Sequence, residues 1–510
     1  MGYKVLEIKM KTDYAKKDLE LVIKKILKIR NFAYEIEKQS LDGRDASDIH
    51  WVIRVAVTST EILNDAVPQK DHLSIPNKKS NKHVVIVGSG PAGSFAGLVL
   101  QMAGFKVTII EQGPEVYTRT KDVRGFEKTG ILNDRSNYSF GEGGAGTFSD
   151  GKLTSRTKSI SKERAFILDK YVELGGPEEI LYLAKPHLGS NLLTKIVKNF
   201  RQEFIDNGGT IIFDNQVIDF KKWGSKVKSV ETEQGVIEAD YFIFAIGHSS
   251  YNTYKLLINK GVKFQLKNFA IGTRVEHYQE LINQAKWRVP KLPGVKAADY
   301  ALTYNFQSTL SVYSFCMCPG GMVVPAPPFA GMNIVNGMSN YKRNYPFANS
   351  AIVAGVSIPM LVGKELEPLA ALEWLMDLER KFYDFSNSYR APAVKVSDFI
   401  ANKTTPKFGK SSYPFDLVSA DFKELFPPKV FESISYAVKD FINKISGFEE
   451  GVMMGLESRT SAPIQLIRDG MHCAGYDNLY LAGEGSGLAG GIVSSAADGI
   501  KCAMEIINKN

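Results

Sequence analysis

The chain has 510 residues, 44% hydrophobic and 23% charged side chains, and a formal net charge of +8, the composition of a globular protein with two or three domains. It contains no apolar run of roughly eighteen residues or more, and its N-terminus, MGYKVLEIKMK, lacks the apolar core of a signal peptide; no membrane span or export is expected, and a cytoplasmic location is. Four cysteines exclude a disulfide framework, and none has the spacing of a zinc site.

The surplus positive charge is local. Residues 1–30 carry nine basic and four acidic side chains, and by residue 75 the running charge has fallen to +1. The basic cluster lies on one predicted helix, 14–30. Leu19, Val22, Ile23, Ile26 and Leu27 form its apolar stripe, with Lys16, Lys17, Lys24, Lys25 and Lys28 mostly off it. That is the pattern of a solvated helix face. No aromatic residues interleave the lysines, so nucleic-acid binding is not expected. Strands are predicted over 3–10, 33–40 and 50–57, the last two flanking the turn Leu41-Asp42-Gly43-Arg44-Asp45. Residues 1–75 therefore read as a small α+β module, joined by the polar linker Pro76–Lys82.

From His83 to Glu111 the chain reads as a complete dinucleotide-binding βαβ unit. His83–Val87 is a short Val- and Ile-rich strand, followed at once by Gly88-Ser89-Gly90-Pro91-Ala92-Gly93. The first glycine permits the tight turn, the second admits a pyrophosphate, and the third lets helix pack on strand. A helix to about Met102 offers its free N–H groups and dipole to a diphosphate. Lys106–Ile110 is the second strand. Glu111 ends it, where a carboxylate accepts hydrogen bonds from an adenosine ribose and disfavours a 2′-phosphate, so FAD or NAD fits better than NADP.

Two further segments match the same glycine pattern. Gly141–Gly146 is followed by TFSDGKL, which does not open a helix, so it reads as a loop whose amides form an anion nest. Between 186 and 247 a helix and strands at 210–213, 217–220, 226–232, 235–238 and 241–245 form a β-meander that returns to a buried strand. Residues 251–448 read as a second, mixed lobe, with a polar loop over 402–429 that is expected to cover a site. Asn478–Ala482 then reads as a buried strand, leading into Gly485–Gly490 and a helix over 494–507. No acidic strand end follows this third match, so the chain has one dinucleotide unit and no dedicated NAD(P)H domain. In such a C-terminal segment Glu484 is expected to bind a ribityl chain, and the helix N-terminus near Gly490 to stabilise negative charge on a reduced flavin.

The segments FGEGGAGTFSDGKL (140–153), AKPHLGSNLL (184–193), AIGHSS (245–250), FAIGTRVEH (269–277), YSFCMCPGGMVV (313–324), ESRTSAPI (457–464) and GEGSGLAGGI (483–492) occur in that order. In them the chain resembles a bacterial family of uncharacterised FAD-dependent dehydrogenases. The resemblance implies a two-lobe FAD oxidoreductase fold, similar to p-hydroxybenzoate hydroxylase and succinate dehydrogenase flavoproteins, but no particular substrate. The chain departs from the family's usual GHSARDT, having Gly247-His248-Ser249-Ser250-Tyr251-Asn252-Thr253, and has Leu488 where an aromatic is common.

The expected fold is α/β: a Rossmann-like FAD-binding domain in two parts, 83–250 and 449–510, a mixed α+β substrate lobe over 251–448, and the α+β module over 1–75. The cofactor-binding candidates are Gly88, Gly90, Pro91, Ala92, Gly93 and Glu111; Gly143, Gly144, Ala145, Gly146, Thr147 and Lys152; Val217 and Gly247; and Gly483, Glu484, Gly490, Gly491 and Ile492. Arg119 and Arg124 are candidates to neutralise the pyrophosphate. Cys316 and Cys318, two apart on a strand and so on one face, are catalytic candidates together with His248 and His277. Arg274 with Glu276, and Glu457 with Arg459, read as buried ion pairs or substrate anchors. The expected activity is hydride transfer at flavin N5 to or from a small molecule, with NADH or NADPH as a transient donor. A rival reading is an RNA-directed or partner-binding flavoprotein in which FAD is structural.

Overall fold

The computed structural model describes residues 2–63, 71–306 and 309–510; part of the N-terminal module, 64–70, lies outside them. In that module Gly2–Lys11, His50–Ser59 and Ala33–Asp42 form an antiparallel sheet with His50–Ser59 central. Helix Lys16–Leu27 lays Leu19 and Ile23 on Ile8, Ile53, Val55 and Val57. The apolar stripe is narrower than its sequence suggests, because Ile26 is 50% exposed. The sheet leans on the rest of the chain through Gln39, whose N–H donates to Tyr182 O at 2.8 Å and whose carbonyl accepts from Ala184 N at 2.9 Å.

A seven-stranded sheet forms the second layer. Its parallel centre runs Leu479–Leu481, Tyr241–Phe244, His83–Val87, Lys106–Ile110, Thr210–Ile212. These strands are Val-, Ile- and Phe-rich because both faces are covered. On one face helices Pro91–Met102 and Ile492–Asn508 pack side by side. They approach closely because Gly499 has no side chain: a β-carbon there would sit 2.1 Å from Ala92 O. On the other face lies the meander Val217–Trp223, Lys226–Thr232, Gly235–Glu238.

The third layer is a larger, mostly antiparallel sheet with successive neighbours Thr303–Tyr304, Val312–Pro325, Phe347–Val356, Phe269–Tyr278, Val452–Glu457, Ala391–Lys395 and Leu417–Ser419. Helices Pro368–Ser386 and Pro428–Lys444 bury their apolar stripes on it. Strand Val452–Glu457 pairs with Phe269–Tyr278 and Ala391–Lys395. The second lobe therefore runs past 448, and the chain returns to the parallel sheet only after Glu457. Composition does not mark that crossing, because the strand is as apolar as those on either side of it.

Candidate functional site

A cavity of about 400 Å³ opens where the parallel sheet meets the larger sheet, within the range of small-molecule and cofactor sites. Its floor is the turn after strand His83–Val87. Gly88 takes φ of +107°, and a β-carbon there would lie 2.4 Å from Ala245 O. Only glycine fits that combination of left-handed backbone and close approach. Glu111 and Val217 line it, as do Lys152, Cys316 and Glu457, which lie near one another.

Two helices begin in the cavity wall. Pro91–Met102 has Gly90 as N-cap and Ile492–Asn508 has Gly491, so neither has a capping side chain or an acidic residue in its first turn. Each offers unpaired N–H groups and a positive dipole end to the same space. Gly247, Gly490 and Gly491 border the cavity with nothing within 4 Å of where a β-carbon would be. Side chains at these three positions would fill a cradle that the fold leaves open.

Of the predicted cofactor residues, Gly88, Gly90, Pro91, Ala92, Glu111, Gly144, Ala145, Gly146, Lys152, Val217, Gly247, Gly483, Glu484, Gly490, Gly491 and Ile492 line the cavity. Glu111 already accepts from Ser89 N at 3.0 Å, Ser89 Oγ at 2.8 Å and Gly113 N at 3.1 Å. Glu484 accepts from Gly491 N at 2.6 Å and pairs with His248 Nδ1 at 3.1 Å. Burial pushes the Glu484 carboxyl up, but His248 and the Gly491 N–H together hold it below its ordinary value. His248 also lines the cavity.

Gly93, Gly143, Thr147, Arg119, Arg124 and His277 do not line the cavity. Gly93 lies behind the turn: a β-carbon there would be 2.0 Å from Gly88 O and 3.1 Å from Ile86, the close packing of helix on strand expected of the third glycine. Gly143 and Thr147 face a smaller neighbouring pocket beside Glu142 and Phe95. Arg119 is fully buried and points away from the cavity, donating to the carbonyls of Asn137 (2.9 Å), Tyr138 (3.1 Å), Gly141 (3.2 Å), Glu142 (2.8 Å) and Gly144 (2.8 Å). It knots the glycine-rich loop from behind, and burial lowers its guanidinium to about 10. Arg124 is exposed on helix Val116–Thr129, away from the cavity. His277 is buried under Phe448, with Nε2 2.9 Å from Phe448 O, and does not line the cavity; burial lowers it to about 4.

The cysteines and the polar loop also depart from expectation. Cys316 lines the cavity, but Cys318 is wholly buried behind it. The strand bulges between Phe315 and Cys318, so the simple same-face alternation fails there. The loop over 402–429 contributes nothing to the lining. Phe408, Tyr413 and Phe415 instead anchor it on Val323, Val335 and Met454.

One ion pair joins the two motifs, and the other leaves them for helix Pro368–Ser386. Arg274 pairs with Glu457, at 3.0 Å and 2.9 Å, and Arg459 with Glu379, at 2.9 Å and 2.7 Å. Glu276 instead accepts from Ser412 N at 3.1 Å. The cavity-lining Glu457 is pushed up by burial, with Arg274 acting against the shift.

Sequence reasoning missed Asp150, a buried cavity-lining carboxylate paired with Arg343 at 2.7 Å and Lys152 at 3.4 Å. Burial opposes its charge, but those two cations hold it well below the carboxylate range. Its position two residues before Lys152 in SDGKL was the available signal. Arg343 comes from a distant loop, and no local pattern points to it.

A family model described as "FAD-dependent protein, C-terminal domain-like" matches residues 268–460, and one described as "FAD binding domain" matches 81–146. The chain is 38% identical over 518 residues to an uncharacterized protein of Clostridium beijerinckii, with 96% of each chain covered. Among solved structures, glycine oxidase from Bacillus cereus is 13% identical with a TM-score of 0.33, over 84% of this chain and 96% of that one. L-proline dehydrogenase from P. horikoshii is 12% identical with a TM-score of 0.33, over 85% and 95%.

Proposed function

The chain belongs to the family of FAD-dependent proteins that its clostridial relative represents, and we propose from that premise that it is an FAD-dependent dehydrogenase or reductase acting on a small organic molecule. The observation that carries the reading is the cavity in which two uncapped helix N-termini and three open glycine positions converge. Bound there, FAD supplies hydride transfer at its N5 position.

The chain's own part is binding and electrostatics. The N–H groups of Gly90 and Ala92 would receive the diphosphate, together with those of the loop Gly144–Gly146 that lines the same cavity. Glu111 has lone pairs left for an adenosine ribose after its three internal hydrogen bonds. Glu484 takes the ribityl hydroxyls, held in place by His248 and Gly491 N. The N-terminus of helix Ile492–Asn508 and the Lys152 ammonium favour negative charge at the opposite end of the cavity. His248, already hydrogen-bonded to Glu484, is the group placed to hold or pass a proton beside the substrate. The substrate reaches this end from the second lobe, beside Cys316, Asn336 and Arg459. With one dinucleotide unit in the chain, NADH or NADPH serves as a transient donor at the same face.

The test is the visible spectrum of the purified protein, followed anaerobically as NADH and then NADPH are added. Bleaching of a bound flavin supports the reading. A flavin that stays oxidised with both removes the nicotinamide donor, and a chain that cannot be loaded with FAD removes the reading altogether.

A further inference from the structure

The proposed hydride chemistry leaves a pair of cysteines in the cavity wall unused. Cys316 and Cys318 lie in strand Val312–Pro325. A regular strand would space their α-carbons about 6.6 Å apart, near the upper limit for a disulfide. This strand is not regular there. Phe315 pairs with Ala351 and Cys318 with Asn349, so one extra residue is bulged out. Cys316 takes φ of +45°, left-handed backbone that a residue with a side chain adopts only when its surroundings hold it. Three donors do so. Arg274 Nη1 reaches Cys316 O at 3.3 Å, the Cys318 thiol reaches the same carbonyl at 3.2 Å, and Lys152 Nζ reaches Met317 O.

The bulge folds Cys318 back on Cys316, with its Sγ 3.2 Å from Cys316 O. Both are free. Lys152 Nζ stands 3.9 Å from Cys316 Sγ, a poor neighbour for an inert apolar thiol and a good one for a thiolate. The neighbouring Cys318, with Lys152 and Arg274 acting against burial, puts Cys316 well below the usual thiol range, while Cys318 is held above it.

We propose that Cys316 and Cys318 form a redox-active dithiol that exchanges two electrons with the FAD held in this cavity. The inference rests on FAD occupying the cleft. When the pair is oxidised, the Cys316 thiolate and the Cys318 thiol form one S–S bond. Two electrons and the Cys318 proton pass to the oxidised flavin, which becomes its anionic reduced form, so charge and hydrogen balance without another reagent. The reverse step opens the disulfide with the same proton returning to Cys318. Because Cys318 is sealed behind the strand, Cys316 is the sulfur of the pair that a substrate can meet.

The experiment uses the full-length protein with FAD bound, oxidised with ferricyanide and desalted. Thiols are counted after denaturation, and a second sample is titrated anaerobically with dithionite. The expected result is two titratable thiols, those of Cys473 and Cys502, and an uptake of four electrons per flavin. Cys316→Ser and Cys318→Ser should each take up two electrons. At the two-electron stage the parent should show long-wavelength absorption from a thiolate against oxidised flavin; Cys318→Ser should show it before any reduction, and Cys316→Ser at no stage. Four thiols and two electrons in the FAD-loaded parent would overturn the dithiol alone. Failure to load FAD would overturn the cofactor reading and the dithiol with it.

Discussion

Arg274 and Glu457 meet as a two-pronged ion pair, at 3.0 Å and 2.9 Å, although they are not opposite one another in the sheet. Glu457 faces Gly272, and Arg274 faces Met454, because strand Val452–Glu457 carries one extra residue between those pairings. Gly455 makes the offset possible with φ of +60°, where a β-carbon would lie 2.5 Å from Val335. The displaced carboxylate lines the cavity, while the guanidinium, wholly buried, holds Cys316 O and Asn349 Oδ1.

Glu457→Gln should therefore be far more damaging than a surface change. Removing one partner of a buried pair leaves an uncompensated charge, a loss of about 3–5 kcal/mol. Urea unfolding of the two proteins checks it. A difference below about 1 kcal/mol would mean that water already reaches Arg274.

Gly490→Val tests the cradle without straining the fold. The position has nothing within 4 Å of a β-carbon, so the FAD-free variant should melt within a degree or two of the parent, as surface substitutions do. Its FAD affinity should fall at least tenfold, a loss of about 1.4 kcal/mol. Equal FAD titrations for the two proteins would move the cofactor elsewhere.

Arg119→Lys separates a knot from a phosphate clamp. A lysine keeps the charge but cannot reach the five carbonyls that the guanidinium holds. The FAD-free protein should lose roughly 2–4 kcal/mol of stability, as expected when buried hydrogen-bonding groups are left unpaired. Thermal melts without cofactor decide the matter: unchanged stability with weakened FAD binding would restore the pyrophosphate role.

Stability should also fall on acidification. Burial holds His187 and His277 at about 4 in the folded chain, against about 6.5 when unfolded. Between those values the unfolded chain binds more protons, so stability rises with pH and is lost as pH falls from about 6.5 to about 4. His277, completely enclosed, accounts for roughly 3 kcal/mol at most. Glu142, raised to about 7 by burial, acts in the opposite sense, so a variant must isolate the histidine. Urea midpoints at pH 7 and pH 4.5 should diverge less in His277→Gln than in the parent. Parallel curves would show that His277 titrates normally.

The cofactor half of the site was legible because its rules are local. Strand, glycine turn, helix and Glu111 fall within 29 residues, and each glycine answers a steric demand of its neighbours. The substrate half was read less well because its geometry comes from strand register. Arg274 had to be paired with Glu457 rather than Glu276, and Cys318 taken out of the cavity lining, by bulges that no periodicity displays. Arg119 misled for a related reason. Its position after Glu111 suggests a phosphate ligand, but the carbonyls it serves converge only once the loop Asn137–Gly144 has folded. The loop over 402–429 was read as polar, yet its three aromatic anchors decide where it lies.

The two helix N-termini that open on the cavity begin at Pro91 and Ile492, some four hundred positions apart in the chain. Strand Leu479–Leu481 must also slot beside Tyr241–Phe244 before the second helix can dock. During synthesis the βαβ unit emerges early but offers only half a binding surface. Capture of the flavin consequently waits for both halves of the site. A ribosome-bound chain stalled before residue 492 should acquire no yellow colour, however much FAD surrounds it.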